Sequence, residues 1–419
     1  MSAAAHRIRT VNLGLKFEPA APARACELAR RFFAVADAAF ADADLAPRTR
    51  RVTTQPCAGF APGAAGLVPA IVALERELDG IWLCVPGPQF QAPGDEVSAL
   101  DWIADAIAET ENVFTNTLIG SRRGIHLDAI ERVGRLMREI ASIDDNGQGN
   151  FRFAAIANVR PGTPYFPAAV HEGDSGFSVA LELAGIADAA FRSDLPFEQK
   201  LRRFASGVAA LAREAAACSH RVEAETGVRF LGLDFSLAPF PGARTSAVGA
   251  LESLQDTVIG SADFILSFHA VNQVLANAAP EVPRVGYNGT MLSVAEDDVL
   301  ARRVAERAVG IKDLLLYATV CGCGLDMLPL PPDTSAAQLS TLVRAVSVIS
   351  HRWDKPLIAR LLPTPLDADG RTCFRHDFLV NTVPFAADAI ALAAPTSGAG
   401  RYYTTPTEKA LSEPAMETL

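Results

Sequence analysis

Four short stretches combine reactive residue types with the spacing of a turn between two elements. In IGSRRGIHLDAI, residues 119–130, a glycine-flanked basic turn offers the backbone N–H groups of Gly120 and Ser121 with the guanidinium of Arg122 or Arg123, a set that can grip a carboxylate or phosphate. In YFPAAVHEGDSGF, residues 165–177, His171, Glu172 and Asp174 share one loop. A histidine beside carboxylates serves as acid or base near neutral pH or as a metal ligand, although one histidine and two carboxylates do not define a metal site. In RFLGLDFSLAPFPG, residues 229–242, Asp234 interrupts an apolar run and Ser236 follows it. A carboxylate buried there needs a catalytic role or a network of neighbouring N–H groups, because burial without a partner is costly. In YATVCGCGLDMLPLP, residues 317–331, Cys321 and Cys323 flank Gly322, and Gly324 leads to Asp326. Two thiols in a glycine-rich turn form a nucleophilic or redox pair when a base or a helix N-terminus lies close; zinc would need a second ligand pair that the chain does not supply. Each stretch also has a structural reading: solvated turn arginines, a satisfied loop histidine, a hydrogen-bond network, and inert packed cysteines.

The elements that must position these residues alternate along the chain. Short apolar or β-branched runs at 10–15, 51–54, 81–85, 113–119, 151–156, 177–183, 230–235, 287–292, 327–330 and 357–362 predict about ten strands. Segments of helical period at 22–43, 97–109, 127–142, 196–226, 246–259, 299–308 and 335–353 lie between them, several opening with a hydroxyl or acidic cap and a proline. Strands separated by helices are expected to pair in parallel with both faces covered, and ligands to sit where strands end and helices begin. No proline-, glycine- or serine-rich linker divides the chain, so residues 1–394 are read as a single α/β domain. Residues 395–419 form a polar tail, read as a surface extension or an oligomer arm.

The 419 residues are 49% hydrophobic and 21% charged, the balance of a globular chain with a large core. A formal charge of −10 gives no long-range attraction for nucleic acid or anionic lipid, so neither is an expected partner; the expected partner is a small anionic molecule, and a homo-oligomer fits the tail. The N-terminus turns charged before any apolar run of signal-peptide length, and the apolar stretch at 264–279 carries His269, Asn272, Gln273 and Asn277, too polar for a lone membrane span. Seven scattered cysteines fit reduced thiols in the cytoplasm.

These stretches, with RIRTVNLGL near the start and AETENVFTNTLIGSRRGIHLDAI, FPAAVHEGD, GVRFLGLDFSLAPFPG and GCGLDMLPLPPDT in order, resemble the domain of unknown function 711 family, also called uncharacterised protein family 0210, over most of residues 7–363. The resemblance implies a ten-stranded α/β barrel like that of pyruvate formate-lyase, mostly parallel with helices outside. Positions shared with the family pattern are His171, Asp234, Ser236, Cys321, Gly324 and Asp326. Long members have an apolar residue where this chain has Cys323, which favours Cys321 as the reactive thiol, and Asn where it has His126, which argues against an obligatory acid/base role for His126. The tail lacks the arginine-valine-x-glycine-aromatic run of a glycyl radical loop, so no radical is expected. The combined reading is a non-radical small-molecule enzyme acting on a small carboxylate or amino-acid-like substrate, by lyase or acyl or group-transfer chemistry. Arg122 or Arg123 would bind the anion, His171 would move a proton, Asp234 or Asp326 would orient it, and Cys321 would be the nucleophile, with Glu172, Asp174 and Ser236 at the ligand. No nucleotide motif is present, and a metal is not indicated. The alternative is a ligand-binding regulatory protein that keeps the barrel without catalysis.

Overall fold

Alternation of apolar residues along each strand builds two separate cores, one on either side of a single sheet. In the strand Leu357–Pro363, Leu357, Ala359 and Leu361 pack with the surrounding helices, whereas Ile358 and Leu362 belong to apolar clusters on the opposite, inner side. The same period of two runs through Phe153–Ala157, where Phe153 and Ala155 face the helices and Ala154 and Ile156 face inward. The computed structural model describes residues 7–18, 21–57, 66–386 and 402–404; the expected tail therefore lies outside the described residues except at 402–404.

The strands are β1 (Ile8–Gly14), β2 (Pro47–Thr53), β3 (Trp82–Cys84), β4 (Val113–Ser121), β5 (Gly124–His126), β6 (Phe153–Ala157), β7 (Gly176–Leu181), β8 (Arg229–Asp234), β9 (Gly324–Leu330), β10 (Leu357–Pro363) and β11 (Tyr402–Tyr403). Along the sheet they run β8-β7-β1-β2-β3-β4-β6-β10-β9, with β5 on β4 and β11 on β5. Pairing is parallel within β1-β2-β3-β4-β6, within β7-β8 and within β9-β10, so the fold is α/β with a mostly parallel mixed sheet. At two seams, β1 against β7 and β6 against β10, it reverses. The expectation of parallel pairing fails there for a local reason. Residues 158–175, between β6 and β7, form no helix but pass as a loop along the inner face, burying Tyr165, Phe166, Ala168, Ala169 and Val170, so β7 returns in the opposite sense.

Residues 287–292, expected as a strand, are not one. The N–H groups of Tyr287 and Asn288 go to Asp234, and that of Thr290 goes to the Asn272 side chain, which takes them out of any ladder. The segment still touches the sheet on both sides through isolated bridges Leu233 to Arg284, Leu237 to Thr290, and Ser293 to Asp326. The expected helix at 97–109 divides into a 3-10 turn Val97–Leu100 and a helix Trp102–Glu109. Helix Phe197–Thr226 ends on Gly227 in the left-handed conformation, and helix Ala336–Trp353 opens on a reciprocal Ser335 and Gln338 cap, as their sequences suggest. No helix among the described residues is long and apolar enough to cross a membrane.

Candidate functional site

Three arginines on three strands point into the inner core, each no more than 4% exposed: Arg9 on β1, Arg51 on β2 and Arg360 on β10. Two of them sit at irregularities in the ladder. Arg9 is the extra residue where Ile8 pairs with Leu181 but Thr10 already pairs with Ala180. Opposite Arg360, β9 supplies two residues, Asp326 and Met327, between the pairs Ala359 with Leu325 and Leu361 with Leu328. Met327 takes a positive φ of 47° at this bulge, and Met327 joins the inner cluster while Asp326 lines the same interior. Bulges re-aim side chains, and here they bring charge to the inside of an apolar sheet.

The charges are then paired in a chain. Arg360 donates from Nε and Nη2 to the two oxygens of Asp326 at 2.6 and 2.9 Å, and from Nη2 to Glu296 at 2.8 Å. Glu296 also accepts from Arg9 Nη2 at 3.3 Å, and Arg9 reaches Glu182 at 3.4 Å and the Pro239 carbonyl at 2.8 Å. Arg48 approaches Glu182 from outside at 3.5 Å. Burial works against the charge of Arg9 and Arg360, but the facing carboxylates more than offset it and hold both guanidiniums firmly protonated.

Arg51 differs. It donates from Nε to Thr49 at 3.0 Å and from Nη1 to the Pro164 carbonyl at 3.3 Å, and it lies 5.1 and 4.9 Å from the ring centroids of Trp82 and Phe166. Among the described residues no carboxylate pairs with it. Burial, with the charge of Arg9 adding to it, pushes its pKa down to about 9, which leaves it a cation at neutral pH.

Arg9, Arg51 and Arg360 line one cavity with Trp82, Phe114, Tyr165, Tyr287, Ser293, Glu296, Cys323 and Asp326, so its wall carries three guanidiniums against two carboxylates. The free space between the lining atoms is small, on the order of two water molecules. The Tyr165 and Tyr287 hydroxyls, Ser293 Oγ and Arg9 Nε have no hydrogen-bond partner among the described residues. Buried polar groups of this kind call for a partner such as water or a ligand, and four of them gather at this cavity.

Of the residues singled out by sequence, Asp326 and Cys323 line this cavity. Asp234 is fully buried and accepts from Ser236 N at 2.8 Å, Ser236 Oγ at 2.5 Å and Tyr287 N at 2.7 Å, so it and Ser236 fasten the 284–290 loop. Gly286 at φ 80° lets that loop close on the carboxylate, since a Cβ there would lie 1.9 Å from Asp234 Oδ2. Asp234 and Asp326 share no hydrogen-bond partner among the described residues; one holds the Tyr287 backbone, and the other lines the cavity with Tyr287. His171 is buried against Gly14 with Nε2 unpartnered, its pKa lowered by burial, while Glu172 and Asp174 are exposed.

The basic turn is not a strand-to-helix turn. Gly120 and Ser121 pair with Ile125 and Gly124 as a hairpin between β4 and β5, and the following helix is capped by His126 Nδ1, which accepts from Ala129 N at 3.1 Å. Arg122 is 75% exposed and pairs with Asp354 at 3.2 Å; Arg123 donates to Gln91 at 3.3 Å. The cavity is reached by Phe114 at the other end of β4, about 25 Å from Arg122 at ~3.3 Å per residue. With two antiparallel seams, no end of the sheet is the carboxyl end of every strand. The cavity takes residues from near the starts of β1, β3, β4, β9 and β10, from within β2 and from segments 165–168 and 287–296, and none from residues 120–126.

The two thiols of the glycine-rich turn part company. Cys321 packs in the outer core, whereas Cys323 lines the cavity, which corrects the preference for Cys321 as the residue facing a ligand. A hydrogen bond from Cys323, helped by Lys355 and by Gly324 N at 3.4 Å, lowers Cys321 to about 6 in spite of burial, and the same bond with burial raises Cys323. No group of three or more histidine, cysteine or carboxylate side chains among the described residues is arranged to hold a metal.

The family described as "Uncharacterised ACR (DUF711)" matches residues 1–373. The chain belongs to this family. The UPF0210 protein of Pyrobaculum arsenaticum is 29% identical over 281 residues, 64% of this chain and 60% of that protein, and the UPF0210 protein of Streptococcus thermophilus is 26% identical over 359 residues, 81% and 80% of the two. The match thus spans about three fifths of the length of the archaeal relative. An anaerobic ribonucleotide reductase overlaps with a TM-score of 0.38 and 9% identity, covering 84% of this chain and 70% of that one, too loosely to transfer a site. What the DUF711 chain offers for function is therefore its own cavity. Arg9 and Arg360 had a sequence signal, a lone charge within IRTVNLG and LIARLLP, of the kind that drew attention to Asp234, whereas Arg51 is one of three arginines in PRTRRVT and had none.

Proposed function

We propose that this protein is a non-radical, cytoplasmic enzyme acting on a small carboxylate or amino-acid-like molecule held in the inner cavity, with the ligand carboxylate on Arg51. The observation that carries the reading is a buried guanidinium without a counter-ion among four orphaned donors and acceptors. Burying an unpaired charge is costly, and a ligand anion removes the cost. Tyr165, Tyr287 and Ser293 would orient the rest of the ligand. Asp326 and Glu296 are both committed to arginines, which leaves Cys323 as the group free to react. Attack by Cys323 on a carbonyl, with Cys321 taking its proton, is group-transfer chemistry within reach of this geometry. We also read the sheet as a closed barrel of the pyruvate formate-lyase type, with residues 284–293 bridging β8 to β9; the three isolated bridges support that closure.

The saturation of every lining carboxylate favours a second reading, a regulatory protein that binds the same anion without turning it over. Calorimetry with a panel of small mono- and dicarboxylates tests the common core. Arg51→Met should lose about 1.5–3 kcal/mol of binding, the worth of a hydrogen bond to a charged group. Equal affinity in wild type and variant would overturn the site. Consumption of the bound carboxylate, followed by mass spectrometry, separates enzyme from binder.

A further inference from the structure

We propose that Cys321 and Cys323 are an oxidisable dithiol, closed to a disulfide by hydrogen peroxide that enters the cavity and meets Cys323. The inference does not depend on the identity of the carboxylate ligand. Its first support is division of labour: Cys323 lines the cavity and points its thiol at the Leu292 carbonyl at 3.9 Å, whereas Cys321, two residues earlier in the same turn, packs in the outer core. The second is a fixed turn. Gly322 donates to the Thr290 carbonyl and backs directly on Gly289, where a Cβ on Gly322 would come within 2.8 Å of the Gly289 backbone, so only glycine allows the two thiols to share this turn. The third is a local positive environment for one sulfur: Lys355 Nζ donates to the carbonyls of Ala318 and Cys321, and Gly324 N donates to Cys321 Sγ at 3.4 Å. The fourth is size, since the cavity admits a water-sized molecule and excludes a protein disulfide.

Cys321 thiolate removes the proton of Cys323 as the Cys323 sulfur attacks one oxygen of hydrogen peroxide; the O–O bond breaks and hydroxide leaves, giving a sulfenic acid on Cys323. The Cys321 sulfur then attacks the Cys323 sulfur, the S–O bond breaks, and water leaves with the Cys321 proton. Two sulfurs give up two electrons, peroxide gains them, and the products are a disulfide, water and hydroxide.

The test uses the full chain, reduced, desalted and treated with equimolar hydrogen peroxide under native conditions. It is then quenched in denaturant with N-ethylmaleimide and digested with trypsin; the peptide between Lys312 and Arg344 carries both thiols. The expected result is a peptide lighter by two hydrogens and free of maleimide, restored to a doubly modified form by a phosphine reductant, while Cys26, Cys84 and Cys218 stay alkylated. Cys321→Ser should abolish the two-hydrogen loss and slow Cys323 oxidation by roughly tenfold or more, since the base is gone. Circular dichroism establishes that the variant is folded, and the wild-type result stands without it. Maleimide on both thiols after peroxide, a sulfinic acid on one beside a free partner, or unchanged Cys323 oxidation in Cys321→Ser would each overturn the proposal.

Discussion

Asp326 and Arg360 face each other across a β-bulge, and both oxygens of the aspartate accept from the same guanidinium at 2.6 and 2.9 Å. The pair holds β9 to β10 on the inner side and passes charge on to Glu296. An aspartate so committed is part of the wall of the cavity, not a free base within it.

Breaking that pair on one side should be costly. Arg360→Met leaves Asp326 as an uncompensated buried charge, with an expected loss of about 3–5 kcal/mol in urea unfolding, and Asp326→Leu, which leaves Arg360 facing Glu296, should lose less. The double variant Asp326→Leu with Arg360→Met should lose less than the sum of the two. Additive losses would show that the two side chains do not act as a pair.

Arg51→Met should have the opposite sign. Removing a buried cation that no carboxylate faces is expected to raise the stability of the ligand-free protein by on the order of 1 kcal/mol, even as carboxylates cease to stabilise it. Thermal melts with and without ligand read both effects. A fall in melting temperature would mean that the contacts with Thr49, Pro164, Trp82 and Phe166 outweigh the desolvated charge.

Asp234→Ala should act at a distance on Tyr287. It strands the N–H groups of Ser236 and Tyr287, at about 1.5–3 kcal/mol for each hydrogen bond to a charged acceptor, and frees the loop that carries the Tyr287 ring. Reduced stability together with weaker carboxylate binding is expected; lower stability with intact affinity would confine Asp234 to the fold.

The exposed turn gives a contrasting expectation. Arg122→Ala and Arg123→Ala should change unfolding free energy by no more than about 0.5 kcal/mol and leave carboxylate affinity unchanged, because both side chains lie at the far end of β4 from the cavity. Weakened binding in either variant would return the anion site to the hairpin.

His171 sets a pH dependence of known sign. Burial lowers its folded pKa below the ordinary 6.5, so the unfolded chain binds more protons between the two values. Its contribution to stability is complete above pH 6.5 and falls as pH drops through the folded value. Unfolding measured across pH 7 to 4.5 should show a shallower acid-side loss in His171→Gln than in wild type; parallel curves would show that this histidine does not drive it.

The sequence by itself determined the α/β alternation, nine of the ten expected strands, the helices at 196–226 and 335–353, and family membership, because periodicity and turn chemistry act over a few neighbouring residues. It also marked Asp234 as a carboxylate that needs a role, since a charge inside an apolar run must be accounted for, and the structure supplies the loop N–H groups that satisfy it. What only the tertiary structure decided is which end of which strand faces which. The helix-free passage of residues 158–175 reverses β7, and the bulges at Arg9 and at Asp326–Met327 turn charge inward. The cavity therefore gathers Arg9, Arg51, Tyr165, Tyr287, Cys323 and Arg360 from across more than three hundred residues, a convergence that rests on strand direction and register, for which no local pattern in the chain exists.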